Sequence, residues 1–150
     1  MSLEVYKEFA QHLAEKAGQV ILSGKEEVRV VKQKDVRDIA TNVDLEAEKL
    51  IVELIRAEYP EHSVFSEEQG LSGPKSEYQW IIDPLDGTKQ YLRNLPNFSC
   101  NICLTFKEKA IVSVVYFPLF KRLYSAAEGL GAFVDGRKTK MSPISKLEEA

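Results

Sequence analysis

The residues best suited to chemistry are concentrated in residues 83–88, DPLDGT, which follow a run of apolar residues. Two carboxylates, Asp83 and Asp86, flank Pro84, whose fixed φ and missing N–H make a rigid corner. Gly87 permits a tight turn and a close approach of the backbone to a ligand. Oxygen ligands of this kind suit Mg²⁺, which commonly shares its shell with substrate phosphate. Turn formation alone would also select Pro84, Asp86 and Gly87, so an acidic surface turn is the alternative.

The residues after this turn add a potential site for an anion. Thr88 can cap or open a short helix through KQYLR (89–93), and the amides at the start of such a helix favour a negative charge. Two divalent cations held close together can contact both the attacking and the leaving oxygen of a displacement at phosphorus. Paired carboxylates beside an anion site therefore indicate phosphoryl chemistry.

Two other acidic positions strengthen this interpretation. Glu67 and Glu68 follow a short apolar segment, and each by itself is typical of a solvated loop. Asp44 lies near the start of a helix, where the helix dipole also favours a carboxylate. Chance is a poor explanation for the ordered set D…EE…DPLDGT.

Two amphipathic helices precede the motif. Apolar spacing predicts the first over residues 3–22, ending near Gly24. The second is predicted to begin at Thr41 or Asn42, both good N-cap residues, and to end near Tyr59. The residues expected to face the core are Leu3, Tyr6, Phe9, Leu13, Ala17, Val20 and Ile21 in the first helix, and Ala47, Leu50, Ile51, Leu54 and Ile55 in the second.

The remaining segments are predicted to be strands and one loop. Short strands are expected at VRVVKQKD (28–35) and SVFS (63–66), a polar loop at EEQGLSGPKSE (67–77), and a buried strand at QWIID (79–83). Four strand-like segments follow, FSCNICLTF, AIVSVVYF, RLYSAA and GAFV, and Asp135–Gly136 is a hairpin signal after the last. This order predicts an α+β fold in which two helices are layered on a largely antiparallel sheet.

Composition and charge exclude several other functions. The 150 residues suffice for one domain, and the net charge of −3 gives no electrostatic footprint for a nucleic acid polymer or an anionic membrane. Charges interleaved from Glu4 onward argue against a signal peptide, and no apolar run is long enough to span a bilayer. A cytoplasmic location is therefore expected.

Four residues that could support other chemistry are predicted to be structural. Cys100 and Cys103 lie in a strand-like run, where positions three apart point to opposite faces. Two cysteines are also too few for a four-ligand zinc site, so we predict small core or surface residues and not a redox pair. His12 and His62 fall outside the acidic motif and are predicted to be structural or surface residues.

The ordered motif resembles the inositol monophosphatase family of lithium-sensitive, metal-dependent phosphatases. DIATNVD (38–44), EYPEHSVFSEE (58–68) and WIIDPLDGT (80–88) carry the resemblance, which extends from KAGQVILSG (16–24) to GAFVDGRK (131–138). It implies the layered α/β sandwich of that family. It also implies a phosphomonoesterase that hydrolyses a small phosphorylated metabolite with metal-activated water. The resemblance implies two or three Mg²⁺ ions, which Mn²⁺ could replace, and inhibition by Li⁺. It implies a homodimer in the complete protein as well.

The resemblance assigns metal-binding roles to four residues. It implies that Glu67, Asp83, the backbone carbonyl of Leu85 and Asp86 bind the metal ions, with Asp83 bridging two of them. Glu68 is expected to lie behind these ligands.

Catalytic and substrate-binding roles follow from the same resemblance. Glu67 and Thr88 would hold the attacking water, and Asp44 would lie close by and orient a metal-bound water. Asp86 and the amides of Gly87 and Thr88 would bind the substrate.

One element of the family pattern is absent from these residues. The family carries a distant W-D…G-G element, whereas the only tryptophan here is Trp80 and the only aspartate after Thr88 is Asp135, in its hairpin context. Residues 1–150 are therefore predicted to form the N-terminal metal-binding domain of a sugar-phosphatase-like fold, without the C-terminal domain that completes the second metal site.

The substrate stays open at this stage. EYPEHSVF and GAFVDGRK favour an inositol monophosphatase. KQY after DGT, the serine before the Glu-Glu pair and YSAAEG favour a 3′(2′),5′-bisphosphate nucleotidase, and a fructose-1,6-bisphosphatase is a further alternative. A truncated, non-catalytic domain that binds metal or a partner is the alternative of another class.

Overall fold

The computed structural model describes residues 2–33, 39–143 and 148, and these form three helices and ten strands. The helices are α1 (Leu3–Ser23), α2 (Asn42–Glu58) and α3 (Thr88–Leu92), with short 3₁₀ turns at Gly24–Glu27 and Pro118–Phe120. The first five strands are β1 (Val30–Gln33), β2 (Ile39–Thr41), β3 (Ser63–Ser66), β4 (Gly70–Ser72) and β5 (Tyr78–Asp86). The last five are β6 (Ser99–Phe106), β7 (Lys109–Phe117), β8 (Arg122–Ala127), β9 (Gly131–Val134) and β10 (Arg137–Lys138).

The two long helices begin and end close to the predicted positions. Gly24 follows α1, but its φ of −74° is right-handed, so the chain continues into a 3₁₀ turn. α2 begins with a capping box, in which the Thr41 hydroxyl accepts from the Asp44 amide and the Asp44 carboxylate accepts from the Thr41 amide. Capping satisfies amides that would otherwise lack partners at the start of the helix.

Eight strands form one sheet in the order β10-β9-β8-β7-β6-β5-β3-β4. Only the β3–β5 pair is parallel, and every other neighbouring pair in this sheet is antiparallel. α1 packs across β6, β7 and β8, and α2 packs on β5. The predicted α+β fold, with two helices on a largely antiparallel sheet, is confirmed.

The two faces of this sheet differ in burial. Trp80 and Ile82 of β5 and Cys100 of β6 alternate onto the helix-covered face, where they are buried. Ile81 lies on the opposite face and is 39% exposed, beside Phe65 of β3, which is 47% exposed. The site is therefore carried by strands that have a fully buried side and an open side.

Several strand boundaries differ from the predictions. β4 lies inside the segment predicted to be a loop, because Gly70 and its neighbours turn back to pair with β3. β2 was not predicted, and β1 covers Val30–Gln33 of the predicted 28–35 strand, whose last two residues lie outside the described ones. The Asp135–Gly136 hairpin is confirmed, with positive φ at both turn residues.

No helix in the described ranges is long and apolar enough to cross a bilayer.

Candidate metal and phosphate site

The acidic motif forms the irregular end of β5. This strand does not stop at Asp83 as predicted but continues to Asp86, and its pairing with β6 shifts between these two residues. Pro84 sits within the shift, where a residue without an N–H removes no regular ladder bond. Irregular pairing of this kind re-aims side chains at the end of a strand.

Gly87 is required by both conformation and space. Its φ of +86° is left-handed, and a Cβ there would lie 2.7 Å from the carbonyl oxygen of Asn97. α3 then begins at Thr88, as the sequence predicted for a short helix after the turn. The Tyr91 hydroxyl anchors this helix by donating to the Ile21 carbonyl oxygen at 2.6 Å.

The predicted site residues other than Asp44 meet in one pocket of about 270 Å³. Three carboxylate residues line it: Glu67 lies just after β3, and Asp83 and Asp86 lie on β5. The remaining lining residues are Ile39, Leu85, Gly87, Thr88, Lys89 and Gln90. The structure thus brings together every residue predicted to bind metal or substrate, while their individual roles remain predictions.

Asp83 is the electrostatic centre of this pocket. The pKa of Asp83 is raised to about 7, mainly by burial and further by the charge of Glu67, a hydrogen bond with Glu67, and the charges of Asp86 and Asp44. Asp83 Oδ1 is buried and, among the described residues, has no hydrogen-bond partner. A hydrogen bond between two carboxyl groups requires a proton on one of them. Glu67 and Asp83 are therefore held as a pair whose charge must be neutralised.

The donor set fits a hard divalent cation. Within residues 2–33, 39–143 and 148, no three His, Cys, Asp or Glu side chains are pre-arranged around a common metal position. Mg²⁺, however, needs only one or two carboxylates and usually retains several waters. The pocket offers carboxylate and carbonyl oxygens, and the buried, unpartnered Asp83 Oδ1 is an acceptor that a cation would satisfy. A proton and a cation are alternative ways to neutralise the pair.

Asp44 is connected to the pocket through Thr88. Thr88 Oγ1 lies 2.9 Å from Asp44 Oδ1 and 3.0 Å from the Leu85 carbonyl oxygen, so its single hydrogen can serve either acceptor. Asp44 Oδ2 accepts from both the amide and the hydroxyl of Thr41. Burial raises the pKa of Asp44, and the hydrogen bonds from Thr41 and Thr88 act in the opposite direction. Asp44 therefore ties the start of α2 to the acidic turn.

Sequence reasoning missed two residues near the site. Glu48 is completely buried on α2, and its Oε2 accepts from the Glu68 amide at 3.0 Å. Its spacing four residues after Asp44, next to Ala47 in the predicted core stripe, is the signal that could have revealed it. Lys89 places a cation in the lining of the acidic pocket, and the described residues give it no ion-pair partner.

The residues predicted to be structural lie outside the pocket. His12 is exposed on α1, whereas His62 is buried and accepts a hydrogen bond from the Trp80 indole at 3.1 Å. Cys100 faces the helices and Cys103 the open face of the sheet. Burial raises the pKa of both thiols, which disfavours the reactive thiolate.

Comparison with known proteins identifies relatives of this chain. The profile of the Inositol monophosphatase family matches residues 2–150. The chain belongs to this family. A fructose-1,6-bisphosphatase/inositol-1-monophosphatase of Aquifex aeolicus is 40% identical over 151 residues, which cover 99% of this chain and 57% of the relative. The Nus factor SuhB of Vibrio cholerae is 41% identical over 140 residues, which cover 91% of this chain and 52% of the relative.

A solved structure extends the comparison to ligands. An IMPase/NADP phosphatase complexed with NADP and Ca²⁺ superimposes with a TM-score of 0.87 at 27% identity, covering all of this chain and 58% of the other. The predicted resemblance is confirmed, and phosphatases are found among both the sequence relatives and the structural neighbours. The chain spans little more than half the length of these relatives, so the activity of the complete protein is a matter for proposal.

Proposed function

We propose that the protein is a Mg²⁺-dependent phosphomonoesterase of the inositol monophosphatase type, acting on a small phosphorylated metabolite. The observation that carries this proposal is the pocket in which Glu67, Asp83 and Asp86 meet the Gly87–Thr88 turn. Residues 1–150 would supply the N-terminal metal-binding domain, and residues beyond them would complete the second metal position. The family resemblance further supports a cytoplasmic homodimer.

The metal ligands in this proposal are Glu67, Asp83, the Leu85 carbonyl and Asp86. Two or three Mg²⁺ ions, or Mn²⁺ in their place, would be held there, and Li⁺ would inhibit. Bound Mg²⁺ supplies Lewis acidity towards phosphoryl oxygens and water. The buried Asp83 Oδ1 without a partner supports the assignment, because an unsatisfied buried carboxylate oxygen is costly unless a ligand binds it.

Thr88 and Asp44 would orient the attacking water. If Thr88 donates its hydrogen to Asp44 Oδ1, 2.9 Å away, the hydroxyl lone pairs are free to accept from a water in the pocket. Glu67 would take a proton from that water as the water oxygen bonds to phosphorus and the ester P–O bond breaks. The departing alkoxide would take up a proton from solvent, and Glu67 would return its own to solvent. The products are inorganic phosphate and an alcohol. The amides of Gly87 and Thr88, with Asp86, would hold the substrate.

The test is Mg²⁺-dependent phosphate release by residues 1–150 and by a longer chain from the same gene. Inositol 1-phosphate, fructose 1,6-bisphosphate and 3′-phosphoadenosine 5′-phosphate are the substrates, with a chelator as the blank. We expect the longer chain to favour inositol 1-phosphate and residues 1–150 to be slower by orders of magnitude, since each ~1.4 kcal/mol of lost transition-state stabilisation is tenfold in rate. Turnover by residues 1–150 within a few-fold of the longer chain would contradict the proposed division of the metal site.

Lys89 favours a second candidate substrate class. A cation in the lining of an acidic pocket can pair with a second phosphate, as in a 3′(2′),5′-bisphosphate nucleotide or fructose 1,6-bisphosphate. Under this alternative, Lys89→Gln would raise KM for the bisphosphates and leave KM for inositol 1-phosphate unchanged. An equal change for all three substrates would argue against it.

A non-catalytic binding domain is the candidate from another class. The open face of the sheet is apolar around Phe65, Ile81 and Val115, which line a second pocket of about 310 Å³ that shares Glu67 and Asp83 with the acidic one. Absence of turnover in both the short and the longer chain, with Mg²⁺ binding retained, would favour this candidate.

A further inference from the structure

A buried carboxylate on α2 lies directly behind the acidic pocket. Glu48 is 0% exposed and sits on the core-facing side of the helix, next to Ala47 and one turn after Asp44. Its Oε2 accepts from the Glu68 amide at 3.0 Å, while its Oε1 is buried and has no hydrogen-bond partner among the described residues. Among the described residues, the side chain therefore makes one hydrogen bond, and this bond is to the turn that carries Glu67.

Stability alone is a weak reason for a carboxylate in this position. Removing a charge from water is costly, and replacing buried charged groups with apolar side chains of similar volume is often neutral or stabilising. The neighbours of Glu48 in the helix stripe, Ala47, Ile51 and Val52, are all buried apolar residues. An apolar residue at 48 would continue that stripe, so the carboxylate calls for another explanation.

The bonded amide supplies the explanation. The Glu68 N–H belongs to the peptide group that joins it to Glu67, so a hydrogen bond to it fixes the orientation of that peptide. β3 ends at Ser66, and beyond this residue the sheet ladder no longer holds the backbone of Glu67. The hydrogen bond from α2 takes over at this point and restricts where the Glu67 carboxylate can lie relative to Asp83.

We propose that Glu48 is a positioning residue that fixes the Glu67–Glu68 peptide and thereby sets the affinity of the pocket for a divalent cation. The inference rests on the proposed function, since it concerns the same site. Partners that orient metal ligands from behind change metal affinity by about 10–100-fold when they are lost.

The test compares Glu48→Gln with Glu48→Met. Glutamine keeps an oxygen acceptor for the Glu68 amide, whereas methionine has a similar length and no comparable acceptor. Mg²⁺ affinity is measured by calorimetric titration, and the exchange rate of the Glu68 amide is measured by NMR in metal-free buffer. We expect Glu48→Gln to stay within about 3-fold of wild type in both, and Glu48→Met to lose at least about 10-fold in affinity with faster exchange of this amide.

Two control variants separate positioning from a general loss of stability. Ile51→Val shortens a fully buried side chain on the same face of α2 and leaves the bond to Glu68 intact. Ser66→Ala removes the buried hydroxyl of the residue before Glu67. This hydroxyl has no hydrogen-bond partner among the described residues. Both should keep the wild-type Mg²⁺ affinity and Glu68 exchange rate.

The outcomes distinguish this inference from the proposed function. Wild-type Mg²⁺ affinity in Glu48→Met, or an equal loss in Ile51→Val, would overturn the positioning role. Wild-type protein that binds no Mg²⁺ would overturn the proposed function. The Glu68 exchange rates would then decide whether Glu48 fixes the turn, and equal rates in the glutamine and methionine variants would show that it does not.

Discussion

Two aspartates, Asp44 behind the pocket and the half-buried Asp83 in its lining, illustrate opposite uses of a carboxylate. Asp44 is 4% exposed and both of its oxygens accept hydrogen bonds, Oδ2 from Thr41 and Oδ1 from Thr88. Asp83 has a buried oxygen with no partner among the described residues, and its pKa is raised to about 7 by burial and by the carboxylates around it. Hydrogen-bond donors surround the Asp44 carboxylate, whereas other acidic groups surround the Asp83 carboxylate. A carboxylate whose oxygens all accept hydrogen bonds helps to hold the fold together. A carboxylate that has an oxygen without a partner and lies among like charges is suited to binding a cation.

The largest expected effect follows from this difference. Mg²⁺ should stabilise the fold, because it binds the native pocket and relieves the repulsion around Asp83. At a hundredfold excess over Kd the gain is about 2.7 kcal/mol. Asp83→Asn should abolish most of this gain, as measured by thermal melting across a Mg²⁺ titration at pH 8.

Glu46→Gln is the matched control for this experiment. Glu46 is exposed on α2 and does not line the pocket, so its variant should respond to Mg²⁺ as wild type does. A wild-type melting temperature that does not change with Mg²⁺ would remove the distinction drawn between Asp83 and Asp44.

Asp44→Ala should have a smaller effect that is independent of metal. The change removes the acceptor for the Thr41 amide and the link to Thr88, and losses of helix caps typically cost about 0.5–2 kcal/mol. Urea denaturation in chelating buffer at pH 8 should show this loss in Asp44→Ala. Asp83→Asn should be at least as stable as wild type under the same conditions. A loss of similar size in both variants would show that Asp83 is structural as well.

Much of the fold and of the candidate site could be predicted from the sequence. The acidic motif, the two helices and the antiparallel sheet were found because apolar periodicity and turn residues are local signals. The convergence of Glu67 with Asp83 and Asp86 was also foreseen, from their order and from the family resemblance. The parallel pairing of β3 with β5, which brings Glu67 beside Asp83, depends on contacts distant in sequence and was not.

The predictions failed where tertiary contacts decide the outcome. Glu48 looked like an ordinary helix residue, because a helix pattern cannot tell which polar side chain meets a turn 20 residues away. The sequence predicts a loop where β4 forms, since three residues that begin with a glycine carry little strand signal until β3 offers them a partner. The roles of the individual site residues remain predictions.

The buried side chain of His62 extends the comparison. The His62 ring stacks between Tyr59 and Tyr78, with ring centroids 5.0 and 4.7 Å away, and its Nδ1 accepts from the Trp80 indole. Burial lowers the pKa of His62 from the ordinary 6.5, and the nearby charge of Glu61 opposes this shift. As with Asp44, the group has a hydrogen-bond donor beside it, so we expect a structural role that depends on the neutral imidazole.

The smallest predicted effect is a pH dependence of stability from His62. Because its folded pKa lies below the unfolded value of 6.5, its contribution is present above pH 6.5 and is lost as the pH falls through the folded pKa. His62→Phe keeps a stacked ring and cannot titrate. The difference in free energy of unfolding between wild type and this variant should therefore shrink as the pH falls from 7.5 to 5, by about 1.4 kcal/mol for each unit of pKa shift. Urea denaturation at each pH measures the difference, and His12→Gln, a change of the exposed histidine on α1, should show no such trend.

Carboxylates with raised pKa values act in the opposite direction but are common to all three proteins, so they cancel in the comparison. An advantage that does not vary with pH would show that His62 is held without regard to its charge, and a Mg²⁺ response weakened in His62→Phe would place it with Asp83 and not with Asp44.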